Sequence, residues 1–177
     1  HHGERAGGGS RAARLGIEGM AAHGVQGRAV MVDLRRHLGD ARTKVDHAKL
    51  MRVMEADGVV VEPGDMVCLH TGFADVLLAM GREPDGERLA ASCAVLDGSD
   101  PALLSWIADS GLAALIADNY AVEDRPYDFH GDGRSPLLPI HELCLFKLGI
   151  HLGELWHLTE LAGWLARNGR TRFLLTA

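Results

Sequence analysis

Apolar positions fall into two kinds of pattern along this chain: short uninterrupted runs, which read as buried strands, and stripes spaced three and four apart, which read as helices. A rough stripe of Ala12, Leu15, Ile17 and Met20 predicts a helix over 11–23 that stops at Gly24, and the run 29–34 after it predicts a strand. Leu50, Val53 and Met54 predict a helix over 46–57, with Asp46 as N-cap and Gly58 as stop. Glu62-Pro63-Gly64-Asp65 is a turn signal before a strand over 66–70. Thr71-Gly72-Phe73 then turns the chain into a helix through Val76, Leu77 and Met80. Residues 81–98 read as a polar loop with an apolar middle. Asp100-Pro101 caps a helix carrying Leu103, Leu104, Trp106 and Ile107, and a strand over 113–117 follows. An amphipathic helix over 158–168, closed by Gly169, leads to a last buried strand over 172–176. Strands and helices alternate, which predicts an α/β fold: one mixed β-sheet containing the strands near Ala29, Met66, Ala113 and Arg172, with the helices at Asp46, Asp100 and Leu158 packed outside it.

The pattern breaks over 138–155, where a histidine and a carboxylate stand at positions that should be apolar. Pro139 suits a first helical turn and Gly149 a stop, predicting a helix over 140–148 with His141, Cys144, Leu145 and Leu148 on one face. In the extended run that follows, Ile150, Leu152 and Glu154 point one way and His151 the other. A helix joined to a strand by a tight glycine turn brings His141 and Glu154 together, and imidazole beside carboxylate is a common start for a metal or acid–base site. Equally, a lone inward histidine is often a hydrogen-bonded core residue, and a strand-end glutamate is often solvated.

Composition narrows the classes. With 177 residues and a net charge of −6, the chain has one domain's worth of residues and an acidic balance. Residues 1–10 read as a flexible lead-in and 11–177 as a single domain. No basic run is interleaved with aromatics, which argues against nucleic acid, and no apolar run approaches membrane-spanning length. Cys68, Cys93 and Cys144 are far apart, without metal-ligand spacing, and suit reduced thiols in a cytoplasmic protein. The glycines at 7–9 lack the strand and spacing of a phosphate loop.

Further polar candidates lie at strand ends. Asp33 reads as a ligand or base, or as a loop cap; His70 and Thr71 end a buried strand; Asp118-Asn119-Tyr120 leave the core, and the loop over 123–136 reads as a substrate-side loop or as plain surface.

The segments 27–33, Pro63-Gly64-Asp65 through Thr71-Gly72-Phe73, Asp118 through Glu123, and Pro139-Ile140-His141 through Leu152-Gly153-Glu154-Leu155, in that order and spacing, resemble the cyclase family. Its characterised relatives include bacterial kynurenine formamidase and isatin hydrolase. The resemblance implies a swivelling β/β/α fold and a homo-oligomeric, arylformamidase-like metal-dependent hydrolase. It further implies zinc or manganese, a small-molecule amide, formamide or lactam as substrate, and a place in tryptophan catabolism. His141 and Glu154 match the family's late histidine and glutamate metal ligands; no catalytic residue is assigned. The family's main metal motif, His-x-Gly-Thr-His-x-Asp, should precede the glycine-rich start, and nothing in 1–10 matches it, although His1 or His2 could be the end of that region. The metal site is therefore expected to be incomplete in this chain, with His1, His2, His70 and His130 the next donors to consider. The expectation is either a fragment of a longer enzyme or, alternatively, a noncatalytic binding or assembly domain that has lost the metal motif.

Overall fold

The computed structural model describes residues 17–124 and 136–177. Its centre is a five-stranded sheet in the order β6-β5-β3-β1-β7, formed by β1 (Gln26–Asp33), β3 (Met66–His70), β5 (Ala114–Ala117), β6 (His151–Gly153) and β7 (Arg172–Thr176). β1, β3, β5 and β6 are mutually parallel, and β7 runs antiparallel along β1. A small parallel pair, β2 (Thr43–Val45) and β4 (Ala94–Leu96), lies apart from it.

Side-chain alternation along the strands decides which layer each residue joins. Val30, Val32, Val67, Leu69, Leu115 and Ala117 face one way. They pack with Leu50, Val53 and Met54 of α3 (His47–Asp57), Leu103 and Ile107 of α6 (Pro101–Asp109), Val45, Leu96, Ile140 and Cys144. The intervening Ala29, Met31, Met66, Cys68, Ala114 and Ile116 face the other way, onto Leu158 and onto Ala162 and Leu165 of α8 (Thr159–Arg167). Helices therefore cover both faces, as a largely parallel sheet requires. The predicted sheet and its three packed helices are present, and the mixed α/β class holds.

The predicted caps form. The side chains of Asp46 and Asp100 accept hydrogen bonds from the backbone N–H groups of Lys49 and Ala102, and Gly58 ends α3 in the left-handed conformation. The turn at 72–73 leads into α4 (Phe73–Ala79), and α1 occupies Glu18–His23.

Four expectations change. Leu34 is not the end of β1. Asp33 caps it into a short helix, α2 (Leu34–Leu38), accepting a hydrogen bond from the Arg36 backbone N–H. The stretch 81–98 is more than a loop, since it holds α5 (Gly86–Ala90), capped by Asp85, and β4, which β2 pairs across a long sequence separation. β7 is an edge strand with alternating exposure and not a buried one, because only β1 pairs with it. Finally, the helix over 140–148 is α-helical only across α7 (Pro139–His141) and winds as a π-helix over Glu142–Leu148, ending at Gly149. The wider π turn advances fewer degrees per residue, so Leu145 and Leu148 leave the buried face while Ile140 and Cys144 keep it.

The expected lead-in at 1–10 and most of the loop at 123–136, with His1, His2 and His130, lie outside the described residues. No helix among the described residues is long and apolar enough to cross a membrane. The three cysteines are free and buried, and burial pushes the thiols of Cys68 and Cys144 up to about 12.

Beyond β5 the chain must pass polar residues through the core, and Asp118 is fully buried there. Its carboxylate accepts hydrogen bonds from the N–H and hydroxyl of Thr71 at 2.7 and 2.6 Å and from the N–H of Gly72 at 2.7 Å, tying the ends of β3 and β5 together. Asp118→Ala strands two buried amide donors and should cost at least about 2 kcal/mol. Urea unfolding measures it, and a loss under about 0.5 kcal/mol would show that the tie is dispensable.

Candidate functional site

The candidate site is assembled at the carboxyl edge of the parallel strands. Asp33, His70, Asp118 and Glu154 all stand at or just past the ends of β1, β3, β5 and β6, the edge at which open α/β sheets gather their polar groups. Strand parity then divides them between the two faces.

On the face that carries α3 and α6, His141 and Glu154 meet. Nε2 of His141 lies 2.9 Å from Oε1 of Glu154, across thirteen positions of sequence. Pro139 starts the helix that presents the imidazole. The left-handed Gly149 reverses the chain, and Ile150 and Leu152 dock inward so that Glu154 follows on their side. His151 is exposed, as the alternation predicted.

The partner that sequence reasoning missed is Glu123. It is completely buried (0% exposed), and its Oε1 lies 2.9 Å from Nδ1 of His141. The same oxygen accepts the backbone N–H of His141 at 2.9 Å, and Oε2 accepts that of Ile140 at 2.9 Å. A β-carbon on Gly98 would fall 2.0 Å from Oε2, so the absence of a side chain there makes room for the carboxylate. The detectable signal was one acidic residue directly after the apolar Ala121-Val122 pair.

The backbone is strained where these groups are aimed. Ala121 and Val122, just before Glu123, have φ of 79° and 56°, and Leu155, just after Glu154, has φ of 57°. Non-glycine residues in this region persist only where surrounding structure imposes it, and such positions cluster at functional sites. The Glu123 hydrogen bond raises the pKa of His141; burial opposes this, Glu154 adds to it, and the net direction is upward.

His70 stands on the opposite face. Its Nδ1 donates to Asp33 Oδ1 at 2.8 Å, and Nε2 lies 3.3 Å from the Thr159 hydroxyl at the start of α8. Burial is the largest single influence on Asp33 and tends to raise its pKa, but the hydrogen bond and charge of His70, together with the backbone N–H and charge of Arg36, outweigh it and hold the carboxyl below its ordinary value. The structure therefore brings His141 and Glu154 together and keeps His70 with Asp33 on the α8 side.

Against that geometry, the family model described as "Putative cyclase" matches residues 3–124. The chain belongs to the cyclase family. A crystal structure described as a novel cyclase superposes with a TM-score of 0.69 at 27% identity, over 84% of this chain and 45% of that one. Isatin hydrolase A from Ralstonia solanacearum shares the fold with a TM-score of 0.50 at 13% identity, over 77% of this chain and 49% of that one. The chain thus spans about half the length of these cyclase-family structures. A search of curated proteins finds no match. Glu123 lies inside the matched stretch, whereas His141 and Glu154 follow it.

The donor types at His141 and Glu154 suit the divalent metal that the family implies, since imidazole nitrogen and carboxylate oxygen are ordinary ligands of zinc and manganese. A carboxylate on the far ring nitrogen, the place of Glu123, is the usual support for a ligating histidine. The set is partial: among the described residues no group of three or more His, Cys, Asp or Glu is placed to hold an ion.

Two predictions follow from the His141 environment. Because the folded pKa is raised above 6.5, the folded chain holds this proton more tightly than the unfolded chain. The stabilisation is fully present below that value and is lost as pH rises through the folded pKa. Urea unfolding from about pH 6 to 9 should show this decline in the parent chain and not in His141→Gln. Parallel profiles would remove His141 as its source. Gly98→Ala should overpack the Glu123 pocket and destabilise by about 1–3 kcal/mol, and a neutral result in the same assay would mean that the pocket yields freely.

Proposed function

We propose that the chain is part of a metal-dependent hydrolase acting on a small amide, formamide or lactam, with His141 and Glu154 as two of its metal ligands. The observation that carries this reading is the 2.9 Å approach of an imidazole and a carboxylate from two different elements at the carboxyl edge of the sheet. Family membership supports it, as does the fold shared with isatin hydrolase A.

Nε2 of His141 and the carboxylate of Glu154 would hold the ion. A divalent cation in such a site polarises a substrate carbonyl and lowers the pKa of bound water. The chain's own part is to bring a neutral donor and an anionic donor to one point and to keep the imidazole plane fixed. A ligating nitrogen must be free of its proton, so metal competes with any proton on Nε2 of His141, the nitrogen that faces Glu154.

The described residues supply two ligands, fewer than the three or four of an ordinary zinc site, so this chain alone should bind zinc or manganese weakly. A version carrying an upstream His-x-Gly-Thr-His-x-Asp segment should bind metal tightly and hydrolyse N-formylkynurenine, isatin or a related amide. In that version Glu154→Gln and His141→Ala should each lower zinc affinity by tenfold or more, about 1.4 kcal/mol per decade, as read by calorimetric titration. Affinity unchanged by both substitutions would exclude the pair as ligands. Tight metal binding without turnover of any amide, lactam or lactone would favour a noncatalytic binding domain.

A further inference from the structure

Glu123 contacts His141 twice, once through the ring and once through the backbone, and the two contacts have different consequences. The backbone contact concerns the helix. α7 follows Leu138, whose side chain offers no cap, so the amides of Ile140 and His141 would be unpaired donors in the first helical turn. Glu123 supplies both acceptors from seventeen and eighteen positions upstream. It therefore does the work of an N-cap from a remote part of the chain.

The ring contact concerns chemistry. A neutral imidazole carries one proton, and two carboxylates compete for it here, Glu123 at Nδ1 and Glu154 at Nε2. Glu123 is completely buried and has no water to solvate its charge, whereas the Glu154 side chain is 29% exposed. The enclosed carboxylate gains more from the N–H bond, because hydrogen bonds and charges are worth more where solvent is excluded. The proton is thus held at Nδ1, and the Nε2 lone pair is directed to the side of Glu154.

We propose that Glu123 is a positioning residue: from beneath the site it fixes both the first turn of α7 and the ring-nitrogen tautomer of His141, so that Nε2 is presented as the donor beside Glu154. This rests on the reading of His141 as a ligand given above, but its first readout is independent of metal. Gly98 belongs to the same device, because any side chain there would displace the carboxylate.

The test separates capping from positioning. Glu123→Gln keeps the side-chain size but removes the charge and opposes one donor with another. Leu138→Ser, at a position whose φ of −132° and ψ of 80° are non-helical, supplies a local cap that can take over the amide bonds. Three quantities are compared between the parent, Glu123→Gln and the double variant: the melting temperature and the Nδ1 and Nε2 shifts of His141 in long-range proton–nitrogen NMR spectra, both read on this chain, and zinc affinity, read in the version that carries the upstream segment. The expected result is that Glu123→Gln lowers the melting temperature and moves the shifts from the Nδ1–H form toward a mixture. Zinc affinity should fall about 10- to 100-fold, the usual cost of losing the carboxylate behind a ligating histidine. Adding Leu138→Ser should then restore the melting temperature while shifts and affinity stay altered. Recovery of all three by Leu138→Ser would show that Glu123 is only a cap and overturn the proposal, as would nitrogen shifts in Glu123→Gln identical to those of the parent. If instead the shifts respond to Glu123 while Glu154→Gln and His141→Ala leave zinc affinity untouched, the positioning of the ring stands and the metal reading fails.

Discussion

Everything near the candidate site depends on burying one carboxylate. An ionised glutamate without partners inside a protein is costly by several kcal/mol, so Glu123 can be fully enclosed only if donors converge on it. Two backbone amides and an imidazole do so. They come from the start of α7, while the space comes from Gly98, just after β4, and the backbone around Glu123 is bridged to Leu96 of β4. Local fold and site geometry are therefore one interaction. A shift of β4, of α7 or of the segment after β5 would strand the same buried charge.

Sheet parity imposes a second constraint, because polar residues at the carboxyl edge cannot all share a face. His70 follows Leu69 and so turns to the α8 side, where Asp33 and the Thr159 hydroxyl satisfy it. Thr71, one position later, turns back and joins Asp118. Glu154 follows a glycine that packs against Ile116 on the α8 side, and it therefore lies with His141 on the other. Two carboxylate–imidazole pairs are kept apart by a single layer of backbone. Repacking of α8 reaches His70 directly, and His141 only through the sheet.

This division explains what the sequence made legible. Caps and strand runs are local signals, so Asp46, Asp100, Gly58, the central strands and the long helices were readable from neighbours in sequence. The pairing of His141 with Glu154 was readable because both positions lie within one helix–turn–strand unit, whose two periodicities fix their faces. Glu123 was not, since its partners lie seventeen and eighteen positions away across a loop, and no periodicity links a buried acid to a remote helix start. The pair β2 and β4 was missed for the same reason: each strand is three residues long and acquires its meaning only from the other. β7 was read as buried from its apolar composition, but exposure depends on how many neighbours a strand has, and here there is one.

The π-helical turn shows how the unit accommodates its polar residue. An α-helix from Pro139 to Leu148 would keep Leu145 and Leu148 on the buried face with His141. Instead the winding widens at Glu142, immediately after the histidine, and Phe146 is left 84% exposed. Ile140 and Cys144, on either side of His141, remain completely buried. The N–H of Ile150 then reaches back to the Cys144 carbonyl at 2.7 Å and closes the turn into β6. Apolar surface is thus given up downstream while Ile140 and Cys144 stay in the core. The imidazole is held by Glu123, and the chain reaches Glu154 with the parity that brings its carboxylate back to the ring. Widened turns of this kind occur frequently at functional sites. Here the widening has a definite geometric consequence, because it lets one short segment both cover the core and present a polar ring between two carboxylates.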